Sequence, residues 1–187
     1  MHNHLYLTYD NVLVWKSLHI LAQLLNKPSL DKKADSVKNA ILRHCVFEQD
    51  GKPVFAWSVD LNENWDIYDE PPGSLQLLPF YGFFDRDNIV WQNTVSVIRD
   101  KNYPLSFANH TIAEIGCKHA PHPWILAICN SLLAGYAESA LRHLNATSMD
   151  NGVACESVDE ETGECATGAA FATCAGFLAF ALQTVRL

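Results

Sequence analysis

Two acidic stretches and one Cys/His turn carry the residues whose types could do chemistry. The stretch 149–164 holds Asp150, Glu156, Asp159, Glu160, Glu161 and Glu164 with no basic residue. Hydrolysis of a glycosidic bond needs two carboxyl groups: one protonates the leaving oxygen, and the other activates water or attacks directly. Glu156 follows Val153-Ala154-Cys155 and is the most apolar-flanked acid of the stretch, a setting that holds a carboxylate in a defined, partly dry position. Asp159, Glu160 and Glu161 read as solvated surface. The stretch Trp65-Asp66-Ile67-Tyr68-Asp69-Glu70 puts aromatics beside carboxylates. Rings stack on the apolar face of a sugar while acids accept its hydroxyl hydrogens. The competing reading of each stretch is bland: solvated charge for the first, a turn with capping acids for the second.

Cys117-Lys118-His119-Ala120-Pro121-His122 brings thiol and imidazoles together. Zinc ligation by Cys117, His119 and His122 is the sharpest reading of this run, but the spacing fits no common zinc module and lacks a CxxC partner. The histidines read better as polar pocket residues, so neither metal nor cofactor is expected. No P-loop, GxGxxG or GxSxG occurs, which leaves nucleotide-binding and serine-hydrolase chemistry without local support.

The elements that must position these residues are mostly helical. Residues 11–26 read as a helix capped by Asp10, ended by Pro28 and apolar around most of its circumference, so it should be buried on more than one side. Residues 30–44, with Ser29 as N-cap, are amphipathic: Leu30, Ala34, Val37 and Ile41 form a stripe, and Lys32, Lys33, Asp35 and Lys38 face water. Val46-Phe47 and Val54-Phe55-Ala56-Trp57 flank Asp50-Gly51, a β-hairpin signal. After the loop 60–73 come a short helix over 74–79 and one over 88–101 capped by Asp87. The connection 102–122 is long. The spacing then predicts one helix from Pro123 to about Leu144, the acidic loop 146–165, and a small-residue apolar helix over 166–185.

The chain has 187 residues, 49% hydrophobic, with net charge −8. That size and composition exclude general disorder and fit a single domain over 1–187. The acidic balance argues against nucleic acid and anionic membrane as partners and suits a neutral substrate. No secretory signal or 18-residue apolar run is visible, and six cysteines read as reduced thiols, so a cytoplasmic location is expected. Cys155, Cys165 and Cys174 are the first place to look for a disulfide. Six helices that alternate between enveloped and amphipathic follow the logic of a toroid of helical hairpins, an inner ring sheathed by an outer one.

Three segments, in order, resemble glycoside hydrolase family 125. They are Asp69-Glu70-Pro71-Pro72-Gly73-Ser74-Leu75-Gln76-Leu77-Leu78-Pro79-Phe80-Tyr81-Gly82-Phe83, continuing into Trp91-Gln92-Asn93-Thr94; Gly116-Cys117-Lys118-His119; and Gly152-Val153-Ala154-Cys155-Glu156-Ser157. The resemblance implies an all-α fold of helical hairpins of an (α/α)6 toroid, here about half a ring, with a small β-hairpin insertion. It implies a metal-independent, inverting exo-α-mannosidase acting on α-1,6-linked mannose. By it, Glu156 is the general base, Asp69 and Glu70 lie in an acidic active-site loop, and His119 lies in a sugar-contacting turn. With Trp65, these are the expected substrate-binding residues. Where the family continues into an aromatic Arg-Pro-Trp segment, this chain reads Asp159-Glu160-Glu161-Thr162-Gly163-Glu164-Cys165-Ala166-Thr167-Gly168. The family's general acid, an aspartate upstream of the helix that resembles 9–25, would lie at or before Met1. The chain is therefore expected to be the C-terminal portion of such an enzyme, with an exposed apolar face for self-association or for docking to a missing N-terminal half. The alternatives are a non-catalytic helical module with a sugar-binding cleft and, less favoured, a zinc-dependent toroid enzyme.

Overall fold

The computed structural model describes residues 4–185. The position expected for the general acid, at or before Met1, lies outside them. The chain divides into two compact units: Met1–Asp69 with Leu75–Val95, and Glu70–Ser74 with Ser96–Leu187.

The first unit is built on a helical hairpin. Helix α1 spans Thr8–Leu24 and α2 spans Pro28–His44. Asp10 does not cap α1: the cap position is Leu7, and Asp10 sits in the first turn, where its charge still complements the helix dipole. Pro28 opens α2 rather than merely closing α1, because its missing N–H and fixed φ suit the first helical turn; the N-cap is accordingly Lys27, not Ser29. Val12, Trp15, Ala34 and Ile41 are buried. Lys38 does not simply face water. Its ammonium donates to the Phe83 carbonyl at 2.8 Å and lies about 5 Å from the rings of Trp15, Phe83 and Phe84.

Strand β1 (Tyr6–Leu7) pairs antiparallel with β4 (Ser58–Val59), which pairs with β5 (Trp65–Asp66). Strands β2 (Val46–Gln49) and β3 (Lys52–Phe55) form the expected hairpin. Its turn residues Asp50 (φ 50°) and Gly51 (φ 75°) both take the left-handed backbone that a two-residue turn demands. The helix expected over 74–79 is a short 3-10 turn, Leu75–Leu77. Helix α3, Ile89–Ile98, carries the unit boundary between Val95 and Ser96. Its first turn is capped not by Asp87 but by Asn88, whose side-chain oxygen accepts the Trp91 N–H at 3.1 Å.

The second unit centres on α4 (Ile125–Ala134), in which every residue is buried. The single helix expected over 123–144 is two. Gly135, at φ 100°, ends α4 in a left-handed cap, the Tyr136 N–H closes the turn onto the Ser131 carbonyl, and α5 (Ala137–Ala146) starts afresh. Helix α6 spans Ala172–Val185 and packs on α4. The residues before it form β7 (Cys165–Thr167), antiparallel to β6 (Ser157–Val158).

Helix α1 is not enveloped within its unit. Leu24 is 75% exposed and Leu25 62%, with Val14, Ile20 and Leu21 also open. On α6, Phe180 is exposed. No described helix is long and apolar enough to cross a membrane. Replacing Leu21 and Leu24 together by Glu should lower binding of an apolar dye while shifting the melting temperature by only a few degrees, since exposed side chains contribute little to folding. Dye fluorescence and a thermal melt on the same sample check this.

Candidate functional site

Glu156 lies immediately before strand β6, between two pairs of buried residues. Ala154, Cys155, Ser157 and Val158 are buried. Between them the Glu156 side chain emerges with 17% of its surface exposed. Its backbone is pinned from both sides. The Glu156 N–H donates to the carbonyls of Thr167 (3.2 Å) and Gly168 (3.1 Å), and its carbonyl accepts the Ile125 N–H at the start of α4 (3.2 Å). Oε2 accepts the Thr167 hydroxyl at 2.8 Å, and Oε1 lies 3.6 Å from His119 Nε2, an ion-pair separation too long for a good hydrogen bond.

His119 stands on a tight turn in which the Cys117 N–H reaches the Ala120 carbonyl. Gly116 precedes it by necessity, because a Cβ there would meet the His122 carbonyl oxygen at 2.6 Å. The imidazole packs edge-on against Trp124, with centroids 5.1 Å apart. The indole N–H of Trp124 ties to the Ala120 carbonyl at 3.0 Å. Backbone pairing of Trp124 with Ser157 joins this turn to the Glu156 segment. His119 is 63% exposed, so one face of the pair is open to a ligand.

Cys117 Sγ lies 3.0 Å from His119 Nδ1. Burial pushes its thiol up, and the negative charges of Glu70 and Glu156 push it further. A thiol kept protonated is a poor nucleophile, so Cys117 and His119 do not form an activated thiol–imidazole pair. The same electrostatics put Glu70 and Glu156 in one neighbourhood. His122 turns instead to Glu160 (3.0 Å), and among the described residues no group of three or more His, Cys, Asp or Glu is arranged to hold a metal.

Of the five expected site residues, His119, Glu156 and Glu70 belong to the second unit. Trp65 and Asp69 belong to the first. Trp65 is half-buried and stacks flat on Phe47, with centroids 5.0 Å apart. Asp69 is fully buried, and its carboxylate accepts the Leu75 N–H at 2.8 Å, which shapes the turn around Pro71–Gly73. Burial, the hydrogen bond with Tyr81 and the nearby charges of Asp10 and Asp69 all push the Tyr9 phenol up.

Two groups escape sequence reasoning. Thr167 falls where the chain reads as the start of the last helix. Glu114, 3% exposed, takes the Ser131 hydroxyl (2.8 Å) and His143 Nδ1 (2.9 Å), and Arg99 donates to Ser131. Only the apolar neighbours Ile112 and Ile115 hint that Glu114 is inside. The acids read as solvated surface are engaged too. Glu161 pairs with His110 (2.7 Å) and Thr111 (2.8 Å), and its carboxyl is held below the usual range chiefly by the His110 bond. Asp159 accepts two backbone N–H groups of the turn it opens, Glu161 and Thr162.

The sequence model of the metal-independent alpha-mannosidase family (GH125) matches residues 2–182. The chain belongs to that family. A solved structure from Streptococcus pneumoniae, described as a non-productive substrate complex of a metal-independent alpha mannosidase with alpha-1,6-mannobiose, matches at a TM-score of 0.79 and 21% identity. The match covers 100% of this chain and 48% of that one, so the chain spans about half the length of this GH125 structure. That likeness gives the fold class, helical hairpins of the (α/α)6 glycosidase type. Comparison with curated proteins returns no match.

Two outcomes follow for this GH125 chain. Glu114→Ala strands a buried imidazole and hydroxyl and should cost about 3 kcal/mol of stability, read as a fall in the urea midpoint. All six cysteines are free. Burial pushes Cys129 and Cys155 up to about 12 and Cys174 to about 11, so their thiolates are scarce at pH 7.5. Cys165, the one thiol that is not fully buried, should alkylate first with iodoacetamide; peptide mass mapping against time checks the order.

Proposed function

We propose that this chain carries the water-activating side of an inverting α-mannosidase site, with Glu156 as general base. The observation that supports this most is the Glu156 carboxylate itself. It is mostly enclosed, with one oxygen held by Thr167 and the other turned towards an exposed imidazole. In the reaction, a water oxygen bonds to the anomeric carbon as the glycosidic C–O bond breaks. Glu156 takes the water's proton, and a general acid gives one to the leaving oxygen. His119 and Glu70, which belong to the same unit as Glu156, bind sugar hydroxyls. We assign no general acid among the described residues. Exo action on α-1,6-linked mannose is the specificity we assign. It rests on family membership and on the mannobiose of the S. pneumoniae complex.

Without its acid, the site should act only on a leaving group that departs unprotonated. The chain is therefore expected to hydrolyse α-mannosyl fluoride and to be about 10²- to 10⁴-fold slower on α-1,6-mannobiose. Fluoride hydrolysis should release β-mannose, seen by proton NMR before mutarotation, and Glu156→Gln should abolish it while leaving the melt unchanged. Equal rates on both substrates would refute the missing acid. Full turnover by Glu156→Gln would refute the base.

A second reading, a non-catalytic carbohydrate-binding module, is favoured by the span of only about half the S. pneumoniae chain. It is the outcome if mannobiose binds to wild type and Glu156→Gln alike and neither substrate is cleaved. The open apolar residues of α1 support self-association or docking against further toroid helices.

A further inference from the structure

We propose that Thr167 and Gly168 are positioning residues that set the aim of Glu156, an assignment that rests on its role as general base. This dipeptide makes three hydrogen bonds with Glu156, two to its backbone N–H and one to its side chain. Both of its carbonyls take the Glu156 N–H (3.2 and 3.1 Å). The Thr167 hydroxyl donates to Oε2 at 2.8 Å. Gly168, at φ 59°, leaves bare the space against the root of the Glu156 side chain; a Cβ there would lie 2.6 Å from Glu156 Cβ and 3.3 Å from Oε2. Glu156 Cβ cannot swing away as a flexible tip could, because the same two residues hold its backbone.

The hydroxyl chain has a direction. Thr167 owns one proton and gives it to Glu156, so at the 2.6 Å contact between Ser157 Oγ and Thr167 Oγ1 the serine is the donor. Ser157 is fully buried and fixes Thr167, and Thr167 fixes Oε2. The oxygen left to take a proton from water is Oε1, the one that faces His119. Both residues come from the segment in which this chain departs from the aromatic run expected after Glu156, so the base is held here by a hairpin strand of its own.

A general base displaced by about 1 Å loses on the order of 10²-fold in rate. Thr167→Val removes the hydroxyl at nearly constant shape, and Thr167→Ser restores it. On α-mannosyl fluoride, Thr167→Val should lower kcat about 10- to 100-fold with KM within about twofold, and Thr167→Ser should recover most of that loss. Gly168→Ala should lower kcat in the same way. Crystal structures of both Thr167 variants provide a readout that needs no activity: Glu156 off its present rotamer in Thr167→Val and back on it in Thr167→Ser. The assignment is overturned if Thr167→Val keeps wild-type kcat, if Thr167→Ser fails to rescue, or if Glu156 holds the same rotamer without the hydroxyl. If wild type cleaves no mannoside, the catalytic reading fails while the crystallographic comparison still decides the positioning.

Discussion

The backbone of Glu156 is fastened on both sides, its N–H to β7 and its carbonyl to the first turn of α4. That double attachment fixes a carboxylate relative to the most deeply buried helix of its unit. The hairpin of β6 and β7 exists to return the chain to this point. The acidic loop between the strands turns on Asp159 and closes through Gly163, where a side chain would collide with the Ala146 carbonyl oxygen at 2.1 Å. The excess of carboxylates in that loop is thus partly architecture and partly, at Glu156, chemistry.

Electrostatics within the second unit are arranged around that choice. Cys117 sits beside His119 as a neutral thiol, so the imidazole keeps a polar neighbour that carries no competing charge. Three other acids have their own imidazoles: Glu160 with His122, Glu161 with His110, Glu114 with His143. Each pair uses up a histidine that a metal or a nucleophile would otherwise claim, and His119 is left as the imidazole facing Glu156.

What was legible in the sequence was local. Asp50-Gly51 announced its hairpin because a two-residue turn needs left-handed backbone, and those residue types supply it. The helical character of the long elements followed from periodicity, but where one helix ends and the next begins did not. Pro28 could equally close one helix or open the next, and Gly135 divided what apolar spacing read as a single run. Glu156 stood out by its apolar flanks, and His119 and Glu70 entered through motif order. The burial of Asp69, the ionic network of Glu114 and the clamp by Thr167 were illegible because each depends on a partner that only folding brings near. Residue 114 meets residue 143, and residue 156 meets residue 167 across a turn whose geometry no composition encodes.

The three other carboxylate–imidazole pairs of the second unit differ in how far water reaches them. His110 and Glu161 are open, His122 and Glu160 are half covered, and His143 and Glu114 are sealed. Dissolved ions weaken attraction only where they can approach. Rising ionic strength should therefore loosen the connection at the rim first and leave the interior intact, so that the unit softens from the outside inward.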